Sequence, residues 1–324
     1  VLRTLIKRIV LWLPIRLKWR RDCRRLPLVR AQFEQYANIH VAFWWSLFRF
    51  PNLVAPQSRN DMIQWMKLFD YRPESVTCCD KIAMRDIVQA RVGARYLVTL
   101  YQVHEHFDGI DFAALPRACV IKTNHNSGPV FLVRDHTRLD RARVRRQIER
   151  KLREVYGWEK GEWAYASAPP KVLVEEHLAP DDEAPPADYK FHCDGGRVTF
   201  CAHFTDRHRE ARVQHIARDG TPIPGGAAGQ SYAAAETFVK PPVWDEMVTV
   251  AERLAEGFQL LRVDLYCVGE RICVGELTLW PGSGFARGVA FNTAGNFGAI
   301  DFTRFRPVVV PPPDRTGQSG GWRR

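Results

Sequence analysis

Two separated stretches hold most of the side chains that could do chemistry in this 324-residue chain. Leu260 to Leu279 reads as two strands joined around Gly269-Glu270-Arg271, since apolar and β-branched residues flank a turn. With Glu270 at the centre of the turn, Asp264 falls opposite Glu276 and Arg262 opposite Thr278, and period-two alternation puts all four on one face. Two carboxylates facing each other across a strand pair repel, by up to roughly 1 kcal/mol, and call for a neutralising partner. Mg²⁺ is one such partner, because it takes oxygen ligands and is commonly held by one or two carboxylates plus water and phosphate oxygens. Arg262 together with a second base is the other.

The second stretch begins with Ala118 to Thr123, a short apolar strand that carries Lys122. A lysine in that setting is costly to bury unless an anion meets its ammonium. The loop Asn124-His125-Asn126-Ser127-Gly128-Pro129 follows, and then a second strand, Val130 to Val133. Side-chain donors at Asn124, His125 and Asn126 and backbone N–H groups at Ser127 and Gly128 would cradle phosphate; a plain polar turn would contain the same residues. Lys171 to Leu178 reads as a buried strand ending in Glu175-Glu176-His177-Leu178. A basic strand, a donor-rich loop, an acidic strand end and a paired-carboxylate hairpin, in that order, would grip a Mg-nucleotide from both sides.

The elements that must position these groups follow from pattern. Asp80 opens a helix whose apolar face holds Ile82, Ile87, Val88 and Val92, with Gly93 near its end. Residues 138–153 carry eight bases and two acids, a solvated helix face or a polyanion contact. Tyr189 to Phe204 is a hairpin around Asp194-Gly195-Gly196, and a helix covers about 242–257. The acidic, Pro-rich stretch 179–187 is a loop, and residues 307–324 form a flexible tail. His104-x-His106 beside Glu105 has metal-pair spacing, but alternating strand or loop residues explain it better.

Composition bounds the rest. With 46% hydrophobic and 26% charged residues, wholesale disorder, collagen-like repeats and a small disulfide-stapled fold are excluded. The eight cysteines form no C-x-x-C pair and read as small hydrophobes in a reduced, cytoplasmic compartment. Of the net charge of +11, residues 1–30 supply most, holding ten bases against Asp22 alone, so the body is near neutral and no nucleic-acid partner is expected.

Within that arm Leu2, Leu5, Ile6, Ile9, Trp12 and Leu13 share a helical face, and the uncharged run Ile9 to Ile15 falls far short of the roughly 20 residues of a membrane span. Two readings stand: a basic amphipathic helix on an anionic membrane, or a helix docked on the body with its arginines in water. The aromatic-rich residues 31–75 are expected to pack as helices.

The motifs DKIAMRDIV (80–88), FDGIDFAALPRACVIKTNHNSG (107–128), KVLVEEHL (171–178), DYKFHCDGG (188–196) and RVDLYCVGERICVGELTLWPGSGF (262–285) recur in order, and in them the chain resembles the TupA-like branch of the ATP-grasp ligases over about residues 75–290. The resemblance implies an α+β fold in which two subdomains enclose ATP. A helical N-terminal region (1–75) would precede a catalytic region (76–306), divided into a nucleotide-clamping part (about 119–178) and a metal-binding core (179–306). It also implies Lys81 and Lys122 as phosphate contacts, Asn126, Ser127 and Gly128 as the loop over the γ-phosphate, and the Glu175-Glu176-x-Leu178 stretch as the adenine hinge. Asp188 would contact the nucleotide and Lys190 a phosphate. Arg262 would steady an acyl phosphate, and Asp264 and Glu276 would hold Mg²⁺, with Thr278 in a position where the wider superfamily usually has asparagine.

The implied reaction is carboxylate–amine ligation through an acyl phosphate. Family context points to a uronic acid on a sugar nucleotide or lipid-linked glycan as the carboxylate and an amino acid as the amine. A kinase built on the same nucleotide grip, and a membrane-associated binding protein without catalysis, are the alternatives.

Overall fold

Helices α1 (Leu2–Arg25), α2 (Phe33–Leu47), α3 (Arg59–Phe69), α4 (Pro73–Cys79) and α5 (Met84–Arg91) precede the first strand. The computed structural model describes residues 2–179, 186–205, 212–225, 233–234, 238–293, 295, 305 and 308. Ser58 caps α3 by accepting from the Asp61 N–H at 3.2 Å. All eleven residues of α3 are buried, polar ones included. Arg59 explains part of this: its Nε and Nη2 meet the two Asp194 carboxylate oxygens at 3.2 and 2.6 Å, a bidentate pair sealed from water.

β1 (Leu100–His104), β2 (Cys119–Thr123), β3 (Phe131–Val133) and β4 (Val172–Glu176) form an antiparallel sheet in the order β1-β4-β2-β3. One face carries Cys119, Ile121, Val172 and Val174 into a core with Phe107, Phe112 and α6 (Arg141–Leu152). Val144, Ile148 and Leu152 recur every four residues on α6 and supply its buried stripe, and its arginines lie outside. The solvated-face reading of this basic segment therefore holds, with Arg145 bonded to Asp108 at 2.7 Å. The other face of the sheet carries Val120, Lys122 and Glu175. α7 (Trp163–Ser167) lies between α6 and β4 in the chain.

β5 (Asp188–Asp194), β6 (Arg197–Thr205), β7 (Arg212–Ile216), β8 (Ala233–Ala234), β9 (Leu260–Val268) and β10 (Arg271–Thr278) form the second sheet, ordered β10-β9-β5-β6-β7-β8 and antiparallel except for β7 and β8. Gly195 and Gly196, both with positive φ, close the β5–β6 turn between Asp194 and Arg197. The back of this sheet (Phe191, Cys193, Leu261, Val263, Leu265) packs on α8 (Trp244–Ala255) and on the N-terminal helices in one continuous core. α9 (Val289–Asn292) follows the sheet.

Most elements fall where the sequence places them. No sequence pattern marks β1, β7 or β8, and α5 begins at Met84 because Asp80 caps the turn before it, accepting from the Ile82 N–H at 2.8 Å. All eight cysteines are unbridged, and all but Cys267 are buried. The expected tail from 307 lies outside the described residues apart from Val308, which is buried, its N–H donating to Leu68 O at 2.8 Å. In the acidic loop 179–187, residues 180–185 lie outside the described residues. Among the described residues no helix is long and apolar enough to cross a membrane.

Candidate active site

The β9–β10 hairpin sets Asp264 opposite Glu276 and Arg262 opposite Thr278, the pairing expected from sequence, but by another route. Its turn has two residues, Gly269 and Glu270, and the outer pairs from Arg271–Val268 to Val274–Leu265 are one position out of step with the inner ones. Gly275 is the extra residue of a β-bulge that restores the register. A side chain would not fit there, since a Cβ would stand 2.6 Å from the Tyr266 ring. A glycine bulge therefore aims Glu276.

On β5, Lys190 is paired directly with Asp264. Acids and bases then alternate across the front of the sheet. Asp188 Oδ2 lies 3.0 Å from Lys190 Nζ, and Lys190 donates in turn to Asp264. Arg262 donates to both Asp264 oxygens at 2.6 and 2.7 Å, and Glu276 stands 3.9 Å from both Arg262 and Lys81. Burial alone would raise the Asp264 pKa, but Arg262 and Lys190 more than offset it and hold the carboxyl below its usual range. Burial likewise disfavours the Arg262 charge, and Asp264 and Glu276 overcome it. The neutralising partner of the carboxylates here is Arg262 with a second base, Lys190.

Across the cavity, Lys122 pairs with Glu175, two strand positions beyond its register partner Leu173 and on the same face. Glu176 turns instead to Arg271, at 2.5 and 2.9 Å, and to Thr99, at 2.7 Å, so the hinge strand is tied to β10 of the other sheet. Hydrogen bonds from Arg271 lower its pKa to about 2.

The loop after β2 is less open than its composition implies. The Asn124 amide donates to Asp80 and to Pro169 O, both at 2.9 Å, His125 faces Glu154 O, and the Asn126 amide donates to Lys151 O at 3.2 Å. These donors hold the base of the loop, which leaves the backbone of Ser127 and Gly128 to meet a ligand. Lys81 crosses to this base, donating to Asn126 O at 2.9 Å.

Both faces line one cavity of about 1450 Å³, above the roughly 300–1,000 Å³ of single-ligand pockets. Lys81, Lys122, Asn126, Ser127, Gly128, Glu175, Glu176, Leu178, Asp188, Lys190, Arg262, Asp264 and Glu276 all border it. Thr278 does not: it is buried opposite Arg262, and its hydroxyl has no partner among the described residues.

Several lining residues escaped sequence reasoning. Val120 and Tyr266 were legible in principle, each two positions from a named charge. His192, on β5 opposite Arg262, is buried between Phe200, stacked at 4.3 Å, and Phe291; its Nδ1 has no partner among the described residues, and burial followed by Arg262 and Arg59 holds the ring neutral. Trp45, from α2, gave no signal. Nor did the clamp on Pro281–Gly284, where Gln64 donates to Ser283 O at 3.0 Å and Gly284 O at 2.9 Å and Lys67 to Ser283 O at 2.8 Å. Burial pushes the Lys67 pKa down to about 7. The clamped loop holds Ser283 at a φ of 56°, a left-handed conformation costly for a non-glycine residue.

The donor set suits a hard cation. Glu276 is half-buried at the cavity wall and receives no hydrogen bond within 3.5 Å from Lys81 or Arg262, so its oxygens are available. Asp264 lies directly across from it and would have to exchange its bases for metal.

Two antiparallel-rich sheets that present lysines and a carboxylate pair to a shared cleft define an α+β protein with its charged groups gathered between the sheets. The chain belongs to the TupA-like ATP-grasp family, whose model matches residues 61–299. No curated protein matches it. Among solved structures it is similar to the ATP-grasp ligase PsnB complexed with minimal precursor, Mg and ADP (11% identity, 68% of this chain and 57% of that chain, TM-score 0.35). It is also similar to D-alanine–D-alanine ligase from Bacillus anthracis complexed with ATP (11% identity, 70% and 58%, TM-score 0.35). The chain thus spans little more than half the length of these proteins.

Proposed function

We propose that the protein is an ATP-dependent carboxylate–amine ligase. The observation that carries the reading is the convergence of Lys122 and Lys81 with the Arg262–Asp264–Glu276 cluster on one cavity between two sheets. In the proposed reaction a substrate carboxylate oxygen attacks the γ-phosphorus of ATP and ADP leaves; an amine then attacks the acyl carbon and phosphate leaves. Lys122 and Lys190 exchange their carboxylate partners for phosphate oxygens, and Ser127 and Gly128 close over them. Arg262 offsets the oxyanion that develops as the amine attacks. Mg²⁺ held by Glu276 and Asp264 would supply charge neutralisation at the phosphoryl group. No side-chain nucleophile is required.

Family membership supports a uronic-acid-containing surface polysaccharide precursor as the carboxylate, free as a sugar nucleotide or lipid-linked, and an amino acid as the amine. The basic arm supports a position at the inner face of an anionic membrane. An ADP-release screen of uronic-acid sugar nucleotides against amino acids, read with mass spectrometry, tests the reaction. An amide with ADP and phosphate is the expected result. A phosphorylated acceptor without free phosphate would make the protein a kinase, and no ADP with any pair would overturn this substrate class.

A further inference from the structure

α1 docks on the body by one stripe and leaves another uncovered. The docked stripe is Leu11, Ile15, Asp22 and, just beyond the helix, Leu26, all buried; Asp22 accepts from Tyr36 Oη at 2.8 Å. The uncovered stripe is Val10, Leu13, Leu17, Arg20 and Arg24, whose spacing of three and four residues keeps them in line along the helix. Its first half is apolar: Val10, Leu13 and Leu17 are 63%, 59% and 58% exposed, and Trp12 beside them is 50% exposed. Its second half is cationic, since Arg20, Arg21, Arg24 and Arg25 are exposed and form no ion pair among the described residues.

We propose that this outward face of α1 lies along the interface of an anionic lipid bilayer, with Val10, Leu13 and Leu17 entering the acyl boundary and Arg20, Arg21, Arg24 and Arg25 meeting lipid phosphates. The proposal rests on the membrane position inferred above and not on the ligase chemistry. The charge arrangement selects lipid over a second copy of the chain. In a two-fold dimer, parallel helices would set arginine on arginine, and antiparallel helices would set arginine on leucine. A bilayer has an apolar layer and an anionic layer at adjacent depths and satisfies both halves together.

The test is sedimentation of the full chain with phosphatidylcholine vesicles, with and without phosphatidylglycerol. The wild type is expected to bind only the anionic vesicles. L13D/L17D should abolish binding. R20Q/R24Q should weaken it about 30-fold, which corresponds to two bases at about 1 kcal/mol each. Both pairs are exposed, so melting temperatures should stay within a few degrees of wild type. Failure of the wild type to bind would overturn the membrane position itself. Undiminished binding by L13D/L17D would overturn this surface while keeping that position. A lipid-indifferent dimer that L13D/L17D dissociates would assign the face to a second copy.

Discussion

At the scale of single residues, the two site carboxylates differ in what holds them. Asp264 is buried and bonded to Lys190 and Arg262, whereas Glu276 touches its bases only at 3.9 Å. Glu276→Gln is therefore expected to cut turnover more than about 100-fold with little change in melting temperature, as loss of a charged ligand would. Asp264→Asn should lose turnover equally and also stability, by about 1–3 kcal/mol, because it removes the carboxylate that both bases share and leaves Lys190 only Asp188 and Arg262 only the more distant Glu276. Steady-state rates and denaturant midpoints check both; equal stabilities would contradict this division. The Asp264–Glu276 pair was legible in the sequence because alternation and turn composition are local. The bases that neutralise it were only half legible. Arg262 shares the hairpin, but the Lys190–Asp264 pairing spans 74 positions and arises only when β5 joins β9.

Among elements, the proposed reaction depends most on the loop between β2 and β3 and on the bulge in β10. A Cβ at Gly128 would stand 2.6 Å from Asn126 Oδ1, which already accepts from Thr123 at 2.6 Å. Gly128→Val should thus weaken ATP binding about tenfold or more and lower the melting temperature only slightly. Paired thermal melts and ATP titrations read this; a large loss of stability with unchanged affinity would make the loop structural. Helix α3 shows why part of the site was hidden. Arg59, Asn60, Asp61, Gln64 and Lys67 are polar or charged, yet each is buried. Arg59 meets Asp194 and Gln64 meets Gly284, 135 and 220 positions away in sequence, so no local pattern could signal their burial.

For the whole molecule, the arm and the buried histidines set predictions of stability. Of the two sequence readings of the arm, docking on the body is the one the structure shows: one face of α1 packs there, and the opposite face stays exposed. Ile15 is only 1% exposed in the main core, so Ile15→Ala should cost about 2–5 kcal/mol in a denaturant titration. Deleting residues 1–25 should lower the melting temperature or cause aggregation even without lipid. An equally stable truncated chain would contradict the docking.

Burial lowers the pKa of His203 and His215 to about 4 and that of His40 to about 3, against about 6.5 when unfolded. Between those values the unfolded chain binds more protons than the folded one. Stability should then be complete above pH 6.5 and fall as the pH drops through 4. Urea midpoints at pH 7, 5 and 4 check the sign, and a flat profile would contradict it.

Closure of the two sheets' charge cluster on Mg-ATP underlies the proposed reaction. Calorimetric titration of the full chain with ATP, in Mg²⁺ and then in EDTA, tests it most directly. Binding is expected to require Mg²⁺ and to weaken at least about tenfold in both Lys122→Met and Glu276→Gln. Absence of binding in Mg²⁺, or equal affinity in the wild type and both variants, would contradict it.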